Sequence, residues 1–149
     1  MRDSSREETP MPKMIFVNLP VSDLEKATAF YQSVGGVKNE TFSDHTASCI
    51  VLSETIHVML LTHDKFRQFT PKAISDARTT TEVLLAINSE SRDDVDALVA
   101  TAGASGGACD PGPRQDLGFM YSRSFEDPDG HIWEAFWMDP AMAAGGAQA

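Results

Sequence analysis

Glu134 is the residue with the clearest chemical potential. It sits in Ile132-Trp133-Glu134-Ala135-Phe136-Trp137, with apolar or aromatic neighbours on both sides. A carboxylate in such a strand needs a partner or a task, because burying it unpaired costs several kcal/mol. It would serve as an oxygen ligand to a divalent ion or as a base beside a carbonyl. Glu82 opens another apolar run, Glu82 to Ile87, at a position where solvated carboxylates are also common. Alone, the two acids would hold a Mg- or Mn-like ion weakly, with waters completing its shell. A non-heme iron oxygenase asks for two histidines and one carboxylate. His45, His57, His63 and His131 fall in no HxH or HExxH spacing. Cys49 and Cys109 form no CxxC pair, and the chain has no serine elbow and no phosphate-cradling glycine loop.

Strands and helices must aim these side chains. Met14 to Val21 is an apolar run of strand length, and Ser22 or Asp23 is suited to cap the helix that follows. Leu24, Ala27, Phe30, Tyr31 and Val34 recur at helical spacing, and Gly35-Gly36 ends the run. Strand candidates follow at Val37 to Phe42, Ala47 to Leu52 and Ile56 to Thr62. The order then repeats. Glu82 to Ile87 reads as a strand, Asn88 or Ser89 begins a turn, and Val95, Leu98, Val99 and Ala102 form a helical face stopped by Gly103. Placing Phe16 over Glu82 aligns Leu19 with Leu85 and Val21 with Ile87, so the chain reads as two βαβββ modules.

The modules span about 14–62 and 80–139, within a folded body of 14–139. A connector, 63–79, joins them, and Thr70-Pro71 is suited to start a short helix there. The polar stretch 1–13 and the Ala/Gly-rich 140–149 are expected to be flexible.

Tyr121 to Glu126 and His131 to Met138 form a hairpin around Asp127-Pro128-Asp129-Gly130. A two-residue loop would put Arg123 opposite Glu134, whereas a three-residue loop with a glycine bulge would put Ser124 there, and the Pro-Asp-Gly sequence favours the bulge. Alternation sends Ile132 and Phe136 to the side of Glu134, and Trp133 and Trp137 to the helix side. His131 follows the turn and is expected to be solvated.

A net charge of −10, with twelve scattered Lys and Arg, speaks against nucleic-acid binding. The longest apolar runs are strand-sized, so no membrane span is expected. Two cysteines outside any disulfide pattern and the lack of a leader suit the cytoplasm.

Three segments, FVNLPVSDLEKATAFYQSVGG, TEVLLAINSESRDDVDALV and SFEDPDGHIWEAFWMD, resemble the vicinal oxygen chelate superfamily. That is the superfamily of glyoxalases, bleomycin-resistance proteins and extradiol dioxygenases, and the resemblance is nearest to its predicted lactoylglutathione lyase branch. It implies an α+β fold in which the two modules curl their strands into a cup, commonly as a homodimer. It also implies a divalent metal held by the first and last strands of each module. The ligand positions carry over to Phe16, Leu60, Glu82 and Glu134, with Met59 the alternative to Leu60. Phe16 and Leu60 have no lone pairs to offer, so an extradiol dioxygenase is disfavoured and a divalent metal is doubtful. His57 lies at odd spacing from Leu60 and would enter the cup only by a register slip.

Two functions follow from the resemblance. One is glyoxalase-like action on a small molecule, with Glu134 as metal ligand or proton-transfer base. The other is non-catalytic sequestration of the bleomycin-resistance kind. The substrate pocket would be lined by Phe16, Asn18, Leu60, Ser124 and Phe136.

Overall fold

The structure is a computed structural model and describes residues 10–142. Most of the expected flexible arm and tail lies outside those residues. The first strand, β1 (Ile15–Val21), leads to helix α1 (Leu24–Ser33), where Asp23 caps by accepting from the Lys26 amide. The α1 face that carries Ala27, Phe30 and Tyr31 is buried, as helical spacing requires. Gly35, at φ 105°, turns the chain into β2 (Val37–Asn39). That strand is shorter than expected because Asn39 accepts from the Thr41 amide and starts a 3-10 turn, Glu40–Phe42. β3 (Ala47–Val51) and β4 (Ile56–Thr62) complete a sheet ordered β1-β4-β3-β2, with β1 and β4 parallel.

The connector differs from expectation. Thr62, at the end of β4, accepts from the Lys65 amide and caps α2 (His63–Arg67). Thr70 also accepts, from the Lys72 amide, but this closes one turn rather than a helix. The second module then opens with β5 (Leu85–Asn88), three residues later than Glu82. Its parallel partner is β9 (Ile132–Met138), paired from Leu85 with Trp133 to Asn88 with Phe136. Continuing that register back to Glu82 reaches the turn at Gly130, so Glu82 and Val83 have no strand to pair with.

Helix α3 (Arg92–Ala104) is capped by Ser91. It runs through Gly103 to Ala104. Gly103 is a contact point instead of a stop, since a Cβ there would overlap the Cys109 sulfur. β6 (Ala108–Cys109) and β7 (Gln115–Asp116) both pair with β8 (Met120–Glu126), which pairs antiparallel with β9.

Residues from both sheets and both long helices share one core, in which Leu19, Phe30, Tyr31, Leu60, Val99 and Trp133 meet. The Phe30 and Tyr31 rings meet edge-on, and Phe125 and Trp133 stack at 6.5 Å. Burial of this much aromatic area is the main stabilising term. Each sheet therefore has one face on the helices and one turned away from them. Among the described residues no helix is long and apolar enough to cross a membrane.

Candidate ligand-binding site

Register decides which side chains face away from the helices. β1 pairs Phe16 with His57, Asn18 with Met59 and Pro20 with Leu61, while Leu19 pairs with the core residue Leu60. Leu60 is fully buried, at 0% exposure, so it does not line the cup as expected. A one-residue slip reverses every side chain in a strand, and the residues on the other face here are Met59 and Leu61, the latter also buried. The same shift of parity, with Met59 in place of Leu60, brings His57 onto the face of Phe16, and the two rings stack at 4.4 Å with 10° between their planes. His57 Nδ1 is buried and has no hydrogen-bond partner. Phe16 is 48% exposed, and Asn18 is exposed with its amide donating to the Phe16 carbonyl.

In the second sheet, Ser124 pairs with Glu134 and Ser122 with Phe136. The turn explains this register. Gly130, at φ 96°, donates to the Asp127 carbonyl, and the Asp127 amide donates to the His131 carbonyl, closing a three-residue loop with a glycine bulge. Arg123 pairs with Ala135 and turns to the helix side. It donates there to Asp96 at 2.9 Å and to both oxygens of Asp110 at 3.0 and 2.6 Å, so it is not the partner of Glu134. Arg123 helps hold the Asp110 carboxyl below its ordinary range, and the Tyr121 hydroxyl and then Arg123 do the same for Asp96. Ser124 is buried because its hydroxyl accepts from the Gly112 amide of the β6–β7 loop. Glu134 is half-buried, and among the described residues it takes part in no ion pair.

The modules are tied together by the β8–β9 turn. Ser22 donates to Asp129 from its amide at 2.9 Å and its hydroxyl at 2.8 Å. His131 Nε2 donates to the Pro20 carbonyl at 2.8 Å, so this histidine is a tie and not a solvated residue. The Tyr31 hydroxyl donates to Asp127 at 2.7 Å and accepts from the Trp133 indole at 3.0 Å. Burial pushes the Asp127 carboxyl above the usual range although three donors reach it, and burial with Asp127 nearby raises Tyr31. Sequence reasoning assigned Asp127 and Asp129 to turn formation alone. Their partners are about a hundred residues away, with no local signal to reveal them.

The ties step back along β1 as they step forward along β9, so the two strands run in opposite senses away from the turn. Where they begin to diverge lies a hollow of about 630 Å³. Asn18, Leu19 and Pro20 bound it from β1, Leu85 from β5, and Gly130 to Ile132 from the turn and β9. Phe66 and the connector cover it, and Glu82, exposed on a bend, stands in its wall. Glu134 and Phe136 do not bound this hollow, but they follow Ile132 on the same face of β9.

The donors do not suit a metal ion. The first sheet turns Phe16, His57, Met59 and Leu61 to the face where ligands are needed, so it offers one imidazole, stacked on the Phe16 ring, and no carboxylate. Ala86 pairs with Glu134, and Glu82 lies four residues before Ala86, on a bend outside the strand. Among the described residues no three His, Cys, Asp or Glu side chains converge.

Comparison with known proteins agrees with this architecture. The hypothetical protein SA1046 from S. aureus superposes with a TM-score of 0.71 at 23% identity, covering 89% of this chain and 98% of that one. A glyoxalase/bleomycin resistance protein/dioxygenase family enzyme from Burkholderia phytofirmans PsJN gives 0.69 at 20% identity, with coverage of 85% and 99%. The fosfomycin resistance protein FosX from Mesorhizobium loti gives 0.63 at 15% identity, with coverage of 91% and 99%. Among curated proteins none matches. The sequence model of one family matches residues 13–135, nearly the whole of both modules. The chain therefore belongs to the Glyoxalase/Bleomycin resistance protein/Dioxygenase superfamily.

Proposed function

We propose that the protein binds a small, partly aromatic organic molecule in the concavity shared by its two modules, without a metal. The observation that carries this reading is the hollow of about 630 Å³ between β1 and β9, a volume in the range of drug-sized ligand sites. Pro20 and Ile132 line it, and Phe16, Met59 and Phe136 follow on the same strand faces. Asn18 and Glu134 add acceptors for a hydroxyl, amide or ammonium group. The apolar residues at the family's ligand positions favour sequestration over metal-assisted chemistry.

Calorimetric titration with the neutral probe 1-naphthylacetamide tests the reading. Binding is expected at one site per chain and is expected to be unaffected by chelator. Phe16→Ala should weaken it about tenfold through lost aromatic contact, and Glu134→Leu should weaken it by a similar factor. Equal affinity in all three proteins, or binding that needs an added divalent ion, would overturn the proposal.

A second reading has one observation in its favour. Glu134 is half-buried with no cation beside it among the described residues, the condition of a carboxylate available as a base. Metal-free proton abstraction next to a carbonyl would appear as deuterium uptake by an α-hydroxyketone in heavy water, followed by NMR. Glu134→Gln should abolish that uptake, and exchange at the same rate in the variant would end this reading.

A further inference from the structure

The sequence contains no cluster of Lys and Arg, yet the fold gathers cations from separate elements. A second hollow, of about 450 Å³, lies between α2, the connector and the β8–β9 turn. Arg67 and His63 line it from α2, Arg78 from the connector and His131 from the turn. It shares Pro20, Ala73, Ile74, Ser75, Ala77 and His131 with the larger hollow, so the two are neighbours across one wall.

We propose that this second hollow is the anion-binding end of the ligand site, taking a carboxylate or phosphate group carried by the molecule whose apolar part occupies the larger one. This rests on the proposed binding function and names the class of ligand.

The opposing acids are Asp76 and Asp129. Asp129 Oδ1 already accepts twice from Ser22, and Asp76 Oδ1 accepts from the Arg78 amide. Among the described residues the Arg67 guanidinium meets only Asp64, at 3.0 Å and well exposed, an ion pair that offers little resistance to a competing anion. Arg78 reaches the Pro128 carbonyl at 3.3 Å and Asp129 at 3.8 Å, leaving donors to spare. Guanidinium groups suit both carboxylate and phosphate, whose paired oxygens match the fork of N–H donors. Two guanidinium groups and two imidazoles thus face two carboxylates that are already engaged.

The test compares 1-naphthylacetate and 1-naphthyl phosphate with neutral 1-naphthylacetamide by calorimetry. The proposal expects at least one anion to bind about tenfold more tightly than the amide. Whichever of the two has the larger margin identifies the group. Arg67→Gln should erase most of the margin and leave the amide unchanged, while Arg67→Lys should keep part of it. Equal affinity of anions and amide would overturn the anion site and leave the proposed function standing. If no naphthyl compound binds, the proposed function fails, and inorganic phosphate followed through the His63 and His131 ring resonances decides the anion site alone. Shifts lost in Arg67→Gln would support it, and unmoved resonances would overturn it.

Discussion

At the scale of single residues, the face a side chain occupies matters more than its type. Leu60 and Leu61 are neighbours of one kind, but Leu60 joins the shared core and Leu61 turns away from the helices. Leu60→Ala should cost about 3 kcal/mol through the cavity it leaves, read as a lower chemical-denaturation midpoint, with probe affinity unchanged. A parallel loss of affinity at saturating stability would place Leu60 in the site after all. Asp127 makes a second prediction. Burial raises its carboxyl above the unfolded value, so folding favours the protonated form. That contribution is fully present below the unfolded pKa and is lost as pH rises through the folded one. Asp127→Asn removes the dependence, so the Tm difference between variant and wild type should move in the variant's favour as pH rises above the ordinary carboxylate range. A difference that moves the other way would mean that Tyr31 and the two amides stabilise the carboxylate more than burial opposes it.

At the scale of elements, legibility followed local pattern. Both long helices announced themselves by the spacing of Ala27, Phe30 and Tyr31, and of Val95, Val99 and Ala102. Pro128-Asp129-Gly130 gave the glycine bulge, and with it Ser124 opposite Glu134. Some of what failed depended on partners distant in sequence: β5 starts late because β9 begins only after the turn. Other misses were local, since Thr62 caps α2 early and Gly103 lies within its helix at the point where Cys109 packs. The turn is also where the connector is pinned, since a Cβ on Gly130 would lie 2.8 Å from the Ala77 carbonyl oxygen. Gly130→Ala adds strain at positive φ to that overlap, and should cost about 1–3 kcal/mol. Faster amide exchange is expected at Ala77 and Arg78, which cover both hollows. Unchanged protection there would show that the connector is held by other contacts.

At the scale of the molecule, the recognisable closing motif, Asp127 to Trp133, does its structural work between the modules. Tyr31, Ser22 and Pro20 of the first module each bond to it. This fixes β1 against the second module and opens the concavity on the side away from the helices. The duplicated architecture was therefore legible, whereas the ties that join the copies, and the cations gathered from α2, the connector and the turn, were not. Each involves residues that look like ordinary surface or turn positions in the one-dimensional chain. Glu82 of the second module and Asn18 to Pro20 of the first border the same hollow by this arrangement, which is the premise of the proposed metal-free binding.

Backbone amide shift mapping by two-dimensional NMR during titration with 1-naphthylacetamide tests that claim most directly. Perturbations should centre on Phe16, Asn18, Ile132, Glu134 and Phe136, drawn from both modules, with α1 and α3 quiet. Shifts confined to the helical side, or to one module alone, would contradict a shared ligand-binding concavity.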